Sequence, residues 1–264
     1  MSVNSYTFSH AITRAPAATI ANGLRTVDTG TPELSLFSRH HADYRAALES
    51  TGATVVNLAA LDAYPDSVFV EDAALCLPEV AIVMRPGAPS RFGEAVAIAP
   101  TLTTFYDMVC HIEGPGFIEG GDILVTEREI FVGRSARTDI AGANELGRIV
   151  SQWGYKIRMV EMPSGILHFK TDCALLDEET ILSTLRLSEA RCFDNYKVIH
   201  TADGEEACAN CIRFNNLVIV PDGYPRTAEK ISHAGFEIRM IGNSEAAKLD
   251  GGMSCLSLRF SPTK

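Results

Sequence analysis

The sequence predicts an α/β fold in which about five ββαβ units close into a ring, and three observations carry that expectation. Four stretches share one pattern, an apolar run, a short polar turn and a second apolar run, which reads as a β-hairpin. They are residues 72–77 with 80–83, 122–125 with 130–133, 172–176 with 180–183, and 210–214 with 217–220. The first three begin at Asp72, Asp122 and Asp172, 50 residues apart, a period that marks repeat architectures. Finally, the run from Ser254 opens a fifth copy that the chain end cuts short. Ala11, Ile12, Thr13 and Arg14 can complete it, so the two ends of the chain meet in one unit.

The elements follow in order. Leu36, His40, Tyr44 and Leu48 mark an early helix, and Ala95, Ile98, Leu102 and Phe105 mark the helix after the first hairpin. Ile140, Ala143, Leu146, Ile149 and Trp153 repeat that spacing after the second, with Thr138 or Asp139 as N-cap. The third unit is weakest, since 187–193 is only faintly periodic. Residues 157–160 and 238–241 read as short closing strands. No linker or low-complexity tract interrupts the chain, which predicts a single domain over residues 1–264.

Composition narrows the class of function. With 46% hydrophobic residues the chain can bury a core without staples. A net charge of −10 and the lack of basic residues interleaved with aromatics argue against nucleic acid and anionic membranes. The seven cysteines are odd in number and lie mostly in apolar runs, which fits reduced thiols and a cytoplasmic location. No secretory leader or run of 18 apolar residues is seen.

In a closed ring the hairpin starts converge on the axis. The residues there are Asp66, Glu71, Asp72, Glu119, Asp122, His168 and Cys255, carboxylates around one imidazole and one thiol. Each also has a structural reading. Cys255 could be a buried strand residue beyond a Gly251-Gly252 turn, whose glycines are free to take positive φ and admit a ligand closely. His168, between Leu167 and Phe169, could be a core histidine, and Asp72, Asp122 or Glu119 could serve turns. Their shared phase in successive repeats favours function. Carboxylates hold a planar cation by charge-assisted hydrogen bonds, a thiolate attacks its central carbon, and a histidine protonates the departing nitrogen and then activates water. Gly114-Pro115-Gly116 misses the dinucleotide fingerprint, and Cys208 with Cys211 lacks a second pair for zinc.

Longer motifs then become familiar. Residues 65–72, Arg85 to Arg91, Glu119 with Gly121-Asp122, Gly133 with Ser135 and Arg137-Thr138, Leu167-His168 with Lys170, Ala209 to Ile212, and Asp250-Gly251-Gly252 with Ser254-Cys255 lie in order along nearly the whole chain. Together they closely resemble the bacterial dimethylarginine dimethylaminohydrolase family. That resemblance implies the five-bladed αβ-propeller of pseudo-symmetric ββαβ repeats, the pentein fold. It implies hydrolysis of Nω-methylated arginine to citrulline and an alkylamine through a covalent thiouronium on Cys255. By the same resemblance His168 is the general acid and base, and Glu119 orients it and contacts the guanidinium. Asp72, supported by Asp66, accepts from the guanidinium, and Phe69 and Glu71 surround the methylated nitrogen. Arg91 and Arg137 clamp the α-carboxylate, backbone carbonyls near Leu24 and Leu249 hold the α-ammonium, and residues 17–26 form a lid. No metal or organic cofactor is expected; the partner is a small methylated arginine, with a homodimer as the assembly to test.

Two rivals remain. Arginine and agmatine deiminases resemble the family but usually carry a second aspartate two residues after the histidine, where this chain has Lys170. A ribosome anti-association factor of the same fold would lack the cysteine, histidine and carboxylates retained here.

Overall fold

The computed structural model describes residues 5–263. In chain order it contains β1 (His10–Arg14), α1 (Leu34–Glu49), β2 (Thr54–Leu58), β3 (Ala74–Cys76), β4 (Ala81–Val83), α2 (Phe92–Leu102) and β5 (Val109–His111). Then come β6 (Ile123–Val125), β7 (Ile130–Arg134), α3 (Ile140–Val150), β8 (Ile157–Glu161), β9 (Cys173–Leu175), β10 (Thr180–Ser183), α4 (Leu185–Ser188) and β11 (Lys197–His200). The chain ends with β12 (Ile212–Phe214), β13 (Leu217–Pro221), α5 (Pro225–His233), β14 (Glu237–Ile241), α6 (Ser244–Ala247) and β15 (Leu258–Phe260).

These strands form five three-stranded sheets of one design. An antiparallel hairpin supplies the inner and middle strands; a helical crossover then returns the chain to a third strand parallel to the middle one. In the ring-closing blade β15 pairs antiparallel with β1, with Ala11 opposite Arg259, and β1 pairs parallel with β2. The expected closure by both ends of the chain is therefore present.

Each helix buries its apolar stripe between neighbouring sheets, which divides the core into five clusters. Ala143, Leu146, Ile149 and Val150 of α3 pack with Ile82, Ile130 and Val132, joining the blade of β3–β5 to that of β6–β8. Asp139 caps this helix, accepting the Gly142 N–H at 2.7 Å. The weak third unit has only the single turn α4. An aromatic group fills the space, with Phe131, Phe169, Phe193 and Tyr196 at ring separations of 5.5–6.3 Å.

The inner strands β3, β6, β9, β12 and β15 surround an axial cavity of about 320 Å³. Among the described residues no helix is long and apolar enough to cross a membrane.

Candidate active site

A short 3₁₀ turn precedes the inner strand of every blade: Val70–Ala73, Gly120–Asp122, Phe169–Thr171, Glu206–Ala209 and Ser254–Leu256. Such a turn has three residues per turn, so adjacent side chains diverge by roughly 120° and can face opposite ends of the axis. The five turns bring together Asp72, Glu119, His168, Asn210 and Cys255.

At one end of the axis they border a cavity of about 150 Å³. Its wall contains Asp66, Phe69, Asp72, Arg91, Arg137, His168 and Cys255, with Leu24, Arg25, Thr26, Leu167, Leu249, Asp250 and Gly251 around the mouth. Of the eleven expected site residues, Glu71 and Glu119 alone are missing from this wall.

Glu119 is fully buried and its oxygens already have protein donors. The Gly87 and Ala88 N–H groups reach Oε1 at 2.9 and 3.3 Å, with Arg137 Nη1 at 3.3 Å, while His168 Nε2 lies 2.7 Å from Oε2. Orientation of His168 by Glu119 is thus in place, while Glu119 itself stands behind His168 and outside the cavity wall. Burial alone would lower the imidazole pKa, but Asp72, Asp122 and Glu119 outweigh it and raise it to about 9. Burial likewise opposes ionisation of Glu119, and the His168 hydrogen bond and charge reverse that, lowering it to about 2. At neutral pH the pair is imidazolium and carboxylate.

Cys255 is 9% exposed. Burial, then the charges of Glu71 and Asp72, push its thiol up to about 11, so it rests protonated. The glycines before it differ from expectation: positive φ falls on Asp250, at 59°, rather than on Gly251 or Gly252. What excludes side chains there is crowding by the protein itself. A Cβ at Gly251 would lie 2.3 Å from the Phe69 ring, and one at Gly252 would lie 2.1 Å from Asn210 Cγ. Gly121 is squeezed similarly, its added Cβ meeting Asp72 Oδ1 at 2.7 Å and His168 Nδ1 at 2.8 Å.

Glu71 corrects the sequence reading most clearly. It does not surround a substrate nitrogen, because the turn sends it away from Asp72 toward the axial cavity. There it takes Lys170 Nζ at 2.7 Å, Arg259 Nη2 at 2.6 Å and the Ser254 hydroxyl at 2.9 Å. Lys170 is turned the same way, so the residue standing where deiminases carry an aspartate puts no cation beside the substrate cavity. Asp122 serves the turns: it accepts Ser135 Oγ at 2.6 Å and the Phe169 N–H at 2.9 Å, fixing the backbone beside His168.

The two arginines also part company. Arg91 is buried and occupied: Nη1 reaches Asp72 Oδ2 at 2.6 Å, Nε and Nη2 reach Glu94 Oε2 at 3.0 and 2.7 Å, and Nη2 reaches the Phe69 carbonyl at 3.0 Å. That leaves one Nη1 proton, too few for the bidentate clamp. Arg137 engages Glu119 through Nη1 alone and is partly exposed, so its fork faces the cavity. Glu94, three residues after Arg91 and one helical turn along, was legible only as a spacing.

Over the mouth, residues 17–26 are tied down by acidic side chains. Asp62 takes the Ala18 N–H at 2.9 Å, Asp66 the Leu24 N–H at 2.9 Å, and Asp250 the Thr26 N–H at 2.5 Å. Burial, more than Arg91 opposes it, raises the Asp66 pKa.

Ligand atoms of Asp72, Glu119 and His168 lie within 4.8 Å of one another. Two carboxylates this close favour a cation between them, which is the protonated His168, and Asp72 alone of the two faces the cavity with acceptor lone pairs suited to a planar guanidinium.

The chain matches no sequence-family model. It is 38% identical over 254 residues to N(G),N(G)-dimethylarginine dimethylaminohydrolase of Pseudomonas aeruginosa, covering 96% of this chain and all of that one. The Streptomyces coelicolor enzyme of that name is 30% identical, over 95% of this chain and 96% of its own. A cysteine-to-serine variant of the Pseudomonas enzyme, solved with citrulline, superposes with a TM-score of 0.94 over 97% of this chain and all of that chain, at 38% identity. The N-terminal domain of a cyanobacterial arginine dihydrolase, 18% identical, shares the fold with a TM-score of 0.86 over 96% of this chain and 98% of its own.

Proposed function

The chain belongs to the dimethylarginine dimethylaminohydrolase family, a five-bladed pentein, and from that membership we propose how its residues divide the hydrolysis of methylated arginine to citrulline. The observation that carries the proposal is the convergence of Cys255, His168 and Asp72 from three blades on one small cavity. We also infer that residues 1–264 act as one catalytic domain.

Asp72, through the lone pairs left by Arg91 and Gly121, accepts N–H bonds from the guanidinium, and Phe69 gives the methyl groups an apolar wall. Arg137 reads the α-carboxylate, with Arg91 adding its one remaining N–H. The carbonyls near Leu24 and Leu249 receive the α-ammonium. A bound cation beside Asp72 cancels part of the charge that holds the Cys255 proton, and the thiolate forms as that proton passes to solvent, His168 being protonated already. Sulfur attacks the guanidinium carbon, giving a tetrahedral centre. His168, already protonated, gives its proton to the alkylated nitrogen, which departs as dimethylamine or methylamine and leaves an S-alkylthiouronium on Cys255. His168, now neutral, takes a proton from water as the water oxygen attacks the same carbon. The C–S electron pair returns to sulfur, the hydroxyl on that carbon then gives its proton to the sulfur as the C=O forms, and citrulline is released with the thiol and the protonated His168 restored.

The test is kcat/KM by citrulline release for four compounds. Arginine presents N–H donors where the methylated substrates carry methyls against Phe69, and each buried unpaired donor costs about 1–3 kcal/mol. Nω-methyl- and asymmetric dimethylarginine should therefore exceed arginine by roughly tenfold to a few hundredfold per unmet donor. Symmetric dimethylarginine should be rejected because its second methyl meets Asp72. Arginine matching the asymmetric compounds would make the chain a deiminase.

His168→Ala should lower turnover about 10²-fold or more, since both proton transfers lose their carrier. Its effect on stability has a definite pH sign. The raised His168 pKa contributes stability that is complete below about 6.5 and lost as pH rises through about 9. The lowered Glu119 pKa contributes stability that is complete above 4.5 and lost as pH falls through about 2. The melting-temperature gap between wild type and His168→Ala should thus be widest near pH 5–6 and close at alkaline pH. A gap independent of pH would remove the ion pair from the account.

A further inference from the structure

Four of the five blade turns have roles in the reaction through Asp72, Glu119, His168 and Cys255; the fifth ends at Asn210, whose role is unassigned. Asn210 is buried, and its amide is held in one orientation. Oδ1 accepts the Ser254 N–H at 2.9 Å, and the Asn210 carbonyl accepts the Met253 N–H at 3.1 Å. A backbone N–H can be received only by the amide oxygen, so the NH2 must occupy the other position. That group lies 3.6 Å from Cys255 Sγ, and the Gly252 N–H lies 3.5 Å from the same sulfur. Two N–H donors aimed at sulfur favour thiolate over thiol, because the anion is the stronger acceptor. The crowding at Gly252 has the same origin: Asn210 must come this close to reach the sulfur, and no side chain fits between them.

We propose that Asn210 is a catalytic residue whose amide N–H, together with the Gly252 N–H, binds the Cys255 sulfur as a thiolate. The role rests on Cys255 being the nucleophile and operates twice. In the first half-reaction the paired donors hold the charge on sulfur until its lone pair forms the C–S bond. In the second, when the C–S pair returns to sulfur as citrulline leaves, they receive the charge again. Burial and the Glu71 and Asp72 carboxylates oppose ionisation of this thiol, and these two N–H groups favour it.

The competing role is structural, since Asn210 Oδ1 also anchors the loop that carries Cys255. Asn210→Asp keeps that acceptor and the shape while removing the donor; Asn210→Ala removes the donor without adding charge. The measurement is the rate of iodoacetamide alkylation at Cys255, located by peptide mass spectrometry, as a function of pH without substrate. It is accompanied by kcat/KM for Nω-methyl-L-arginine and the melting temperature. Loss of a hydrogen bond to a charged group should move the alkylation midpoint up by about 1–2 pH units in both variants. The kcat/KM should fall at least about tenfold, with Asn210→Asp still folding as wild type. An unmoved midpoint in Asn210→Asp overturns the proposal, as a carboxylate against the sulfur cannot leave a donor site unaffected. A midpoint that moves in Asn210→Asp but stays put in Asn210→Ala, or in Asn210→Leu should alanine not fold, assigns the shift to charge and overturns it too. Alkylation needs no turnover. Failure here is therefore distinct from failure of the Cys255 assignment, which active Cys255→Ser protein would reveal.

Discussion

Cys255→Ser is expected to abolish citrulline production, a loss on the order of 10⁴-fold or more, while the fold stays intact. The hydroxyl is nearly isosteric with the thiol and meets the same Gly252 and Asn210 donors, so little packing changes. What changes is the nucleophile. The buried site already pushes a thiol up to about 11, and an alcohol starts several units higher, so a bound guanidinium beside Asp72 cannot ionise it. Acid-quenched wild-type protein should carry the added mass of the thiouronium on the peptide containing Cys255, and the variant should carry none. An adduct on any of the other six cysteines would move the nucleophile elsewhere.

Arg91→Ala should be the most destabilising substitution in the site. Arg91 stands between two carboxylates, Asp72 and Glu94, all three at least 94% buried at the side chain. Removing it leaves both acids without their cation in a dry environment, and breaking a buried pair this way costs about 3–5 kcal/mol. For a chain of this size that lowers the melting temperature by roughly 6–20 °C. Glu94, which burial already raises to about 7 against the pull of Arg91, then takes up a proton, so most of the loss falls on Asp72. Activity should fall for both dimethylarginine and its decarboxylated analogue, because Asp72 is displaced in both cases, with only the one remaining Arg91 N–H lost in addition for the amino acid. Arg137→Ala should behave differently. It should lose about 1.5–3 kcal/mol of kcat/KM for the amino acid, little for the analogue, and little stability. Denaturant midpoints with unchanged m-values, read beside both substrates, separate the two arginines. Equal behaviour of the two variants would restore them to a common role.

Much of this molecule is local and was therefore legible. A hairpin and an amphipathic helix are each specified by a dozen or so neighbouring residues, and five repetitions with a shared phase are enough to place Asp72, His168 and Cys255 on one axis, where the structure gathers them around a single cavity. The helix of the third unit is weak in the sequence and is a single turn in the structure, where Phe131 and Phe169, distant in the chain, pack with Phe193 and Tyr196 beside it. Direction and partnership of side chains were decided only in three dimensions. Glu71 and Asp72 are adjacent in sequence, but a 3₁₀ turn sends one to the axial cavity and the other to the site. Arg259, 188 residues from Glu71, closes that choice with an ion pair. The approach of Asn210 to a sulfur 45 residues away is of the same kind, and even within one blade the commitment of Arg91 to Asp72, 19 residues back, is settled by how α2 packs on the turn. Periodicity reports which face of an element is buried. Which charge a buried group meets there depends on blades far apart in the chain, and only their packing decides it.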